Sequence, residues 1–322
     1  MITKEKHWKP PFSPAYLQLQ KTGELAKRAK KTWDSMEACQ LCPRKCKANR
    51  LSGKRGICGA NNLLEVSSCN PHFGEEKPLV GTYGSGTIFF THCSLQCLYC
   101  QNWDISQSGQ GAVISIAELA SIMLQLQGQG CHNINLVTPD HYLPHILKAI
   151  DIAATEGLHI PIVYNTGGWI LPETLKLLDG IVDIYMPDFK YWDPEKANRF
   201  SPGSKSYPEL CRNALLEMHR QVGVAQIGED GILYRGLLIR HLVLPNNVSG
   251  TKEIINWIAK YLPKDTYLNL MSQYHPAFQA RSMNTINRRI NKNEYLDAIK
   301  WANIAGLTHV ETQPLPHGND NE

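Results

Sequence analysis

The densest chemistry in this chain lies in T-H-C-S-L-Q-C-L-Y-C-Q-N, where Cys93, Cys97 and Cys100 stand in C-x3-C-x2-C spacing. A cubane iron–sulfur cluster normally takes four cysteine thiolates. Three closely spaced thiolates leave one iron open, much as catalytic zinc keeps one position free for substrate. The same run could also form a zinc loop, or hold buried cysteines that ligate nothing. A second group, Cys39, Cys42, Cys46 and Cys58, stands in C-x2-C-x3-C-x11-C spacing among Gly and Pro turns. Four thiolates close a tetrahedral zinc site or fully ligate an iron–sulfur cluster. The balance leans to the cluster, because a cell that loads the first site already makes them. Cys69, Cys131 and Cys211 lack ligand spacing and are expected to be buried thiols.

Ten cysteines, eight of them between residues 39 and 100, are many for a sequence with no secretory signal at its start. Reducing compartments rarely keep structural disulfides, so ligation or catalysis is the leading account, and a soluble, cytoplasmic protein is expected. No run approaches the roughly 18 apolar residues of a membrane span. The formal charge of +4 is too small to argue for nucleic acid. Lys and Arg do concentrate between Lys21 and Arg55, as a solvated helix face leading into a metal-binding loop would have them. At 43% apolar and 19% charged residues, the chain has material for a sizeable core.

The elements that must position these cysteines follow from periodicity. Apolar, β-branched runs occur at 86–91, 134–138, 160–165, 181–187, 237–244 and 266–271. Helical stretches lie between them, the first opened by the capping box S-I-A-E at Ser115 and Glu118. Others are expected near 141–156, 171–179, 206–221, 251–262 and 292–305. Strand–helix alternation implies an α/β fold with parallel strands covered by helices. Six units suit a partial (β/α)6 TIM-like barrel, with the chemistry at the C-terminal ends of its strands. The expected organisation is a tail and basic helix over 1–38, an N-terminal Cys-rich metal-binding extension over 39–70, the barrel over 71–311 and a flexible tail over 312–322. A hairpin at G-E-D-G (228–231) precedes the fifth strand.

Several strand ends carry polar residues. Asn165 and Thr166 end the third, where Gly167 and Gly168 let backbone approach a ligand. In Y-M-P-D-F-K, alternation puts Met186, Asp188 and Lys190 on one side. A carboxylate and an ammonium there are costly to bury unpartnered, so Asp188 and Lys190 are either functional or a strand-end salt bridge. Only one of Arg240 and His241 can face the interior. Arg240 is a candidate partner for a ligand carboxylate; His241 is either catalytic or a satisfied core histidine.

With Tyr99 just before the last cysteine, the three-cysteine loop resembles the signature of the radical S-adenosylmethionine (radical SAM) superfamily. H-F-G-E-E-K-P-L-V-G-T-Y-G-S-G-T-I-F-F (72–90), C-Q-N-W-D-I-S-Q, V-Y-N-T-G-G-W (163–169), D-I-Y-M-P-D-F-K-Y (183–191) and R-H-L-V-L-P (240–245) look like a branch named for pyruvate formate-lyase activating proteins. The likeness extends over roughly residues 39–310. It implies a [4Fe–4S] cluster on Cys93, Cys97 and Cys100 whose open iron is chelated by the amino and carboxylate groups of S-adenosylmethionine. One electron then cleaves the sulfonium, and the 5′-deoxyadenosyl radical takes hydrogen from a substrate. By the same likeness, Asn165, Thr166, Met186 and Asp188 match positions near the methionine moiety and a monovalent cation, with Tyr99 also on the cofactor side. Lys190 would face the substrate, and Gln273, Tyr274 and His275 would line the substrate side or hold the adenine.

One departure stands out. Radical SAM enzymes often carry Gly-Gly-Glu after the second strand to receive the amino group, and this chain has V-T-P-D-H-Y (137–142) there. Thr138 and Asp140 are the candidate replacements, though Asp140 could equally cap the following helix. The resemblance implies an oxidoreductase that takes hydrogen from a backbone glycine of a partner glycyl-radical enzyme, reduced by a flavodoxin or ferredoxin. A radical reaction on another peptide or small molecule is the alternative. A third reading is a non-catalytic iron–sulfur or zinc protein that meets nucleic acid through its basic N-terminal segment.

Overall fold

Each of the six apolar runs forms a strand in the computed structural model, which describes residues 13–314. In chain order the strands are β1 (Leu64–His72), β2 (Ser85–Phe90), β3 (Ala112–Ile114), β4 (Ile134–Val137), β5 (Ile162–Thr166), β6 (Ile184–Pro187), β7 (Gln226–Ile227), β8 (Leu233–Leu242), β9 (Tyr267–Met271) and β10 (Val310–Thr312). One mostly parallel sheet joins them in the order β10-β9-β8-β6-β5-β4-β2-β1-β3, with β7 hooked antiparallel onto β8. β2, β4, β5, β6, β8 and β9 lie side by side in chain order and all run parallel.

Helices Ile116–Gly128, Leu143–Thr155, Pro172–Leu178, Tyr207–Val222, Thr251–Tyr261 and Lys292–Ile304 fill the crossovers. The first begins as its sequence dictates. Ser115 Oγ accepts from Glu118 N at 3.1 Å, and the Glu118 carboxylate accepts from Ser115 N at 2.6 Å.

Side-chain alternation divides the sheet into two faces. Ile88, Leu136, Tyr164, Tyr185, Ile239 and Leu268 join the large core shared with the helices. Val163, Ile184, Met186, Leu238 and Tyr267 point the other way, into a small cluster closed by Leu79 and Leu233. Above that cluster the same face turns polar. Asp188 bridges to Arg240, Arg240 pairs in register with Asn269, and Asn269 with Glu311. One polar residue per neighbouring strand thus forms a row across the C-terminal edge.

The structure departs from the sequence reading at both ends. Within 13–38 the chain is docked rather than a tail: helix Tyr16–Lys21 places the Tyr16 hydroxyl on Ile160 O at 3.0 Å, and Ala15 N donates to Asp183 Oδ1 at 3.1 Å. The basic helix Glu24–Asp34 buries Leu25, Ala29 and Thr32. A boundary at residue 70 would cut β1, which pairs with β2. Thr312 belongs to β10, and the rest of the 312–322 tail lies outside the described residues beyond Pro314. Among the described residues no helix is long and apolar enough to cross a membrane.

Candidate active site at the three-cysteine loop

β2 delivers the chain to Thr91, and the cysteine loop follows in a shape that costs strain. His92 and Gln96 take left-handed backbone angles (φ 64° and 54°), and so does Thr138 at the end of β4 (φ 58°). For a β-branched residue that angle is a true outlier, and such outliers concentrate at ligand sites. Outside contacts hold the loop. Arg44 Nε donates to Ser94 O at 2.8 Å, Gln96 Nε2 to Ile57 O at 2.8 Å, and Leu98 N to Phe200 O at 2.8 Å. The Arg44 guanidinium also lies over the Trp169 ring, 5.0 Å from its centroid.

All three cysteines open on one cavity of about 170 Å³, together with Thr138, Asn165, Thr166, Asp188, Lys190 and Arg240. No other cysteine among the described residues lines it. Burial pushes the Cys93 thiol up to about 12 and raises that of Cys97 although Lys190 pulls it down. Such thiols are poor nucleophiles, and a metal must displace their protons to bind. The donor set therefore fits a cluster with three protein thiolates. Among the described residues no three His, Cys, Asp or Glu side chains converge to hold a single metal ion.

A model of the radical SAM superfamily matches residues 87–222, which span the loop and its strands. The uncharacterized protein MJ0674 of Methanocaldococcus jannaschii is 32% identical over 82% of this chain and 74% of its own length. The chain belongs to the radical SAM superfamily. Membership implies a [4Fe–4S] cluster and S-adenosylmethionine. A second protein of that organism, uncharacterized MJ0808, is 24% identical over 76% of this chain and 73% of its own. Among solved structures, a radical SAM methyltransferase from Sphaerobacter thermophilus is 14% identical with a TM-score of 0.46. The match covers 69% of this chain and 65% of the methyltransferase, less than two thirds of its length. Methylornithine synthase is 16% identical with a TM-score of 0.44, over 71% of each chain.

In this radical SAM chain Asp188 is the hub of the cavity's charges. Its carboxylate accepts from Lys190 Nζ at 2.7 Å and from Arg240 Nε at 3.1 Å. Burial alone would raise its pKa, but Arg240 and Lys190 outweigh burial and hold it below its ordinary value. Lys190 is held up at about 12, burial opposing and Asp188 and Cys97 prevailing. Arg240 also donates to Asn165 Oδ1 at 2.6 Å and faces Glu75 at 3.6 Å. Thr166 is aimed by Asp140, whose two carboxylate oxygens accept its hydroxyl at 3.0 and 2.9 Å, with Tyr164 OH at 2.9 Å. Asp140 does not line the cavity and makes no helix cap; it is a buried anchor, pushed up to about 6 by burial against those two hydroxyl bonds.

Five candidates sit outside the cysteine cavity. His241 points to the helix side, fully buried, its Nδ1 on Phe189 O at 2.7 Å and its Nε2 on Thr251 Oγ1 at 3.0 Å. It is the satisfied core histidine. Tyr99 packs edge-on between Tyr191 and Tyr274, at 6.2 and 6.1 Å, away from the cavity. Met186 shares the face of Asp188 but lies one layer below, in the small apolar cluster. Tyr274 is buried with its hydroxyl on Ile286 O, and His275 is exposed beside Gln101. Cys131 and Cys211 are buried thiols; Cys69, on β1, is exposed instead.

Sequence reasoning missed two positioning features. The Tyr207 hydroxyl lies 3.0 Å from Gly167 O and 2.8 Å from Asp188 O and accepts from Lys190 N at 2.8 Å, tying the ends of β5 and β6 together. Gly168 has φ 78°, and a Cβ there would fall 2.2 Å from Asp188 O. The second omission is a chamber of about 340 Å³ beside the cysteine cavity, which shares Phe89, Val137, Asn165 and Arg240 with it and adds Glu75, Glu76, Asn269 and Glu311. An acidic pair in a turn reads as solvated surface, so nothing local marked it.

The N-terminal cysteines cluster as well. A Cβ on Gly56 would lie 3.3 Å from Cys46 Sγ and 3.4 Å from Cys58 Sγ, so both sulfurs pack against this glycine. Burial pushes Cys42 up to about 12 and raises Cys58. Arg50, fully buried, donates to Asn61 O and to His141 O, stapling this segment to the sheet. A larger open groove of about 820 Å³, between helix Glu24–Asp34 and Leu171–Leu177, contains none of the cysteines.

Proposed function

We propose that this chain carries its catalytic [4Fe–4S] cluster on Cys93, Cys97 and Cys100, and uses it on a substrate seated in the adjoining chamber. The observation that carries this is the single cavity lined by three cysteines, Cys97 buried and Cys93 and Cys100 half-buried, with no fourth among the described residues, continuous through shared residues with a second chamber. When bound, the group supplies one-electron cleavage of S-adenosylmethionine and hydrogen abstraction. The chain's own residues orient and balance charge. Asn165, Thr166, Thr138 and Asp188 line the cavity with the cysteines, Ser106 Oγ donates to Cys100 Sγ at 3.1 Å, Arg240 links Asp188 to Glu75, and Lys190 sits beside Cys97. Closing the polar atoms of Asp188 and Thr166 with internal partners fixes their positions before a ligand arrives.

Glycyl-radical activation rests on the motif likeness. A radical reaction on another peptide or small molecule has a specific observation in its favour, the carboxylates of the adjoining chamber, because a backbone glycine is uncharged and gives them nothing to recognise. We also read the sheet as a partial (β/α)6 barrel, supported by six parallel strands neighbouring one another in chain order and by polar residues gathered at their C-terminal ends. The four N-terminal cysteines are read as ligands of a second iron–sulfur cluster rather than zinc. The ground for that choice is that a cell which loads the first site already makes such clusters; four thiolates suit either metal. Ten unpaired cysteines and a need for electrons favour a reducing cytoplasm and a flavodoxin- or ferredoxin-type reductant.

Oxygen-free, reconstituted protein with dithionite is expected to convert S-adenosylmethionine to 5′-deoxyadenosine and methionine. Cys97→Ala should abolish turnover while the N-terminal metal is retained; unchanged turnover removes Cys97 from the chemistry. Persistent absence of a glycyl-radical EPR signal across candidate partners favours the peptide or small-molecule reading.

A further inference from the structure

Glu76 opens helix Lys77–Val80 from its capping position and reaches across to β9. It is 6% exposed, and its Oε1 accepts from Asn269 Nδ2 at 2.9 Å. A carboxylate takes only donors, so Asn269 must turn its amide nitrogen toward Glu76 and its oxygen away. Asn269 is 4% exposed. Both leftover atoms, Glu76 Oε2 and Asn269 Oδ1, are buried and have no hydrogen-bond partner among the described residues. Buried polar atoms are rarely left bare, and each such case asks for a missing partner. Here two acceptors in one chamber wait for N–H or O–H donors.

The charges in that chamber say which kind of donor. Glu75, Glu76 and Glu311 line it with Arg240 as the one arginine or lysine. Arg240 is already engaged by Asp188 and Asn165 and reaches Glu75 only at 3.6 Å. Glu311 accepts from the neutral Tyr267 OH at 2.6 Å and forms no ion pair among the described residues. The carboxylates do not converge on one ion position, so the shape suits a spread of N–H donors better than a metal ion. Asn269 lies in register between Arg240 and Glu311, within the polar row that ends over the cysteine cavity.

We propose that this chamber binds an ammonium or guanidinium group of the molecule that gives up hydrogen, with Glu76 and Asn269 as its acceptors. The inference rests on the reading of the cysteine cavity as the reaction centre and names the substrate class for it. The neutral apolar wall of Phe89 and Val137, shared by both cavities, would face the carbon chain between the cation and the reacting C–H bond.

The test titrates the oxygen-free, cluster-loaded protein calorimetrically with Nα-acetyl-lysine methylamide, Nα-acetyl-arginine methylamide and the neutral norleucine counterpart, then with butylamine and butylguanidine. At least one cationic probe is expected to bind tenfold or more tightly than norleucine methylamide. Glu76→Gln should weaken that probe at least tenfold, and Asn269→Asp, which adds charge at the same place, should tighten it. A free amine that binds as well as its acetylated amide counterpart identifies a small molecule; a weaker one identifies a side chain within a peptide. Equal binding of cationic and neutral probes overturns the proposal. So do Glu76→Gln and Asn269→Asp proteins that both keep the parent affinity within twofold; if the first does not fold, the second decides. Substrate-free cleavage of S-adenosylmethionine, measured on the same preparation, separates the two claims. Its absence alongside selective cation binding sinks the reaction-centre reading and leaves the cation site standing.

Discussion

Replacing Asp188 with asparagine keeps the side chain's shape and removes the only anion bound directly to both buried cations. Lys190 Nζ at 2.7 Å then loses its only hydrogen-bonding acceptor among the described residues. Arg240 keeps Asn165 at 2.6 Å and the looser Glu75 at 3.6 Å. Asp188, Lys190 and Arg240 have side chains exposed by only 14%, 19% and 17%, so solvent screens little of the imbalance. Breaking a buried pair by removing one partner costs about 3–5 kcal/mol. The residual contact of Arg240 with Glu75 places the loss near the lower end. At about 2 cal/mol/K of unfolding entropy per residue, a loss of about 3 kcal/mol should lower the melting temperature of a chain of this length by about 5 °C. Oxygen-free scanning calorimetry of the metal-free protein measures that directly. Adding Lys190→Met removes the stranded ammonium, and the double variant should recover a good part of the loss, as coupled neighbours do. A single variant melting within about 1 °C of the parent, or a double variant no more stable than the single, refutes the charge-balance reasoning.

Other outcomes follow from the same structure. Burial holds His241 down at about 4 against an ordinary 6.5, the Phe189 bond opposing. Its share of stability is therefore full above pH 6.5 and is lost as pH falls toward 4, about 3 kcal/mol in all at about 1.4 kcal/mol per pH unit. Unfolding free energies of His241→Gln from urea titrations at pH 7 and 4.5 should differ less than those of the parent by roughly that amount; an equal pH dependence in the two proteins would exclude it. Gly168→Ala should shift Asp188 and lower S-adenosylmethionine cleavage on the order of 100-fold, with a stability loss of about 1–3 kcal/mol; full activity would show that the backbone yields without moving Asp188. Arg44→Ala removes a charged hydrogen bond worth about 1.5–3 kcal/mol from the cysteine loop. Iron analysis should find the loop cluster lost more readily while the far-ultraviolet spectrum is unchanged.

The parallel strands were legible because six apolar runs are long enough to show their period, and Ser115 with Glu118 marked a helix start that the backbone adopts. β1 was not: its Ser68, Cys69, Asn70 and Pro71 break any apolar alternation, and only pairing with β2 makes it a strand. β10 has three residues and helix Tyr16–Lys21 six, too short for a local signal. At the site, alternation correctly put Met186 with Asp188 on one face, yet it carries no depth. Whether a residue reaches a cavity or lies a layer beneath depends on strands far away in sequence. Tyr99 and Asp140 show the same limit, since what surrounds a side chain is decided by Tyr191, Tyr274, Tyr164 and Thr166, none of them its neighbour in the chain.

Arg240 and His241 are consecutive, and their surroundings are opposites. Sliding β8 by one position relative to β6 and β9 would exchange them, thrusting an imidazole among carboxylates and sealing a guanidinium into an oily interior. No gradual path connects the two arrangements. Length changes within β8 should therefore be intolerable, whereas a change in the G-E-D-G bend that closes the β7–β8 hairpin costs only that hairpin's own bonds and leaves the register of β8 with β6 and β9 intact. Diversity among relatives of this chain is accordingly expected to gather at that bend, with the strand itself keeping a fixed residue count.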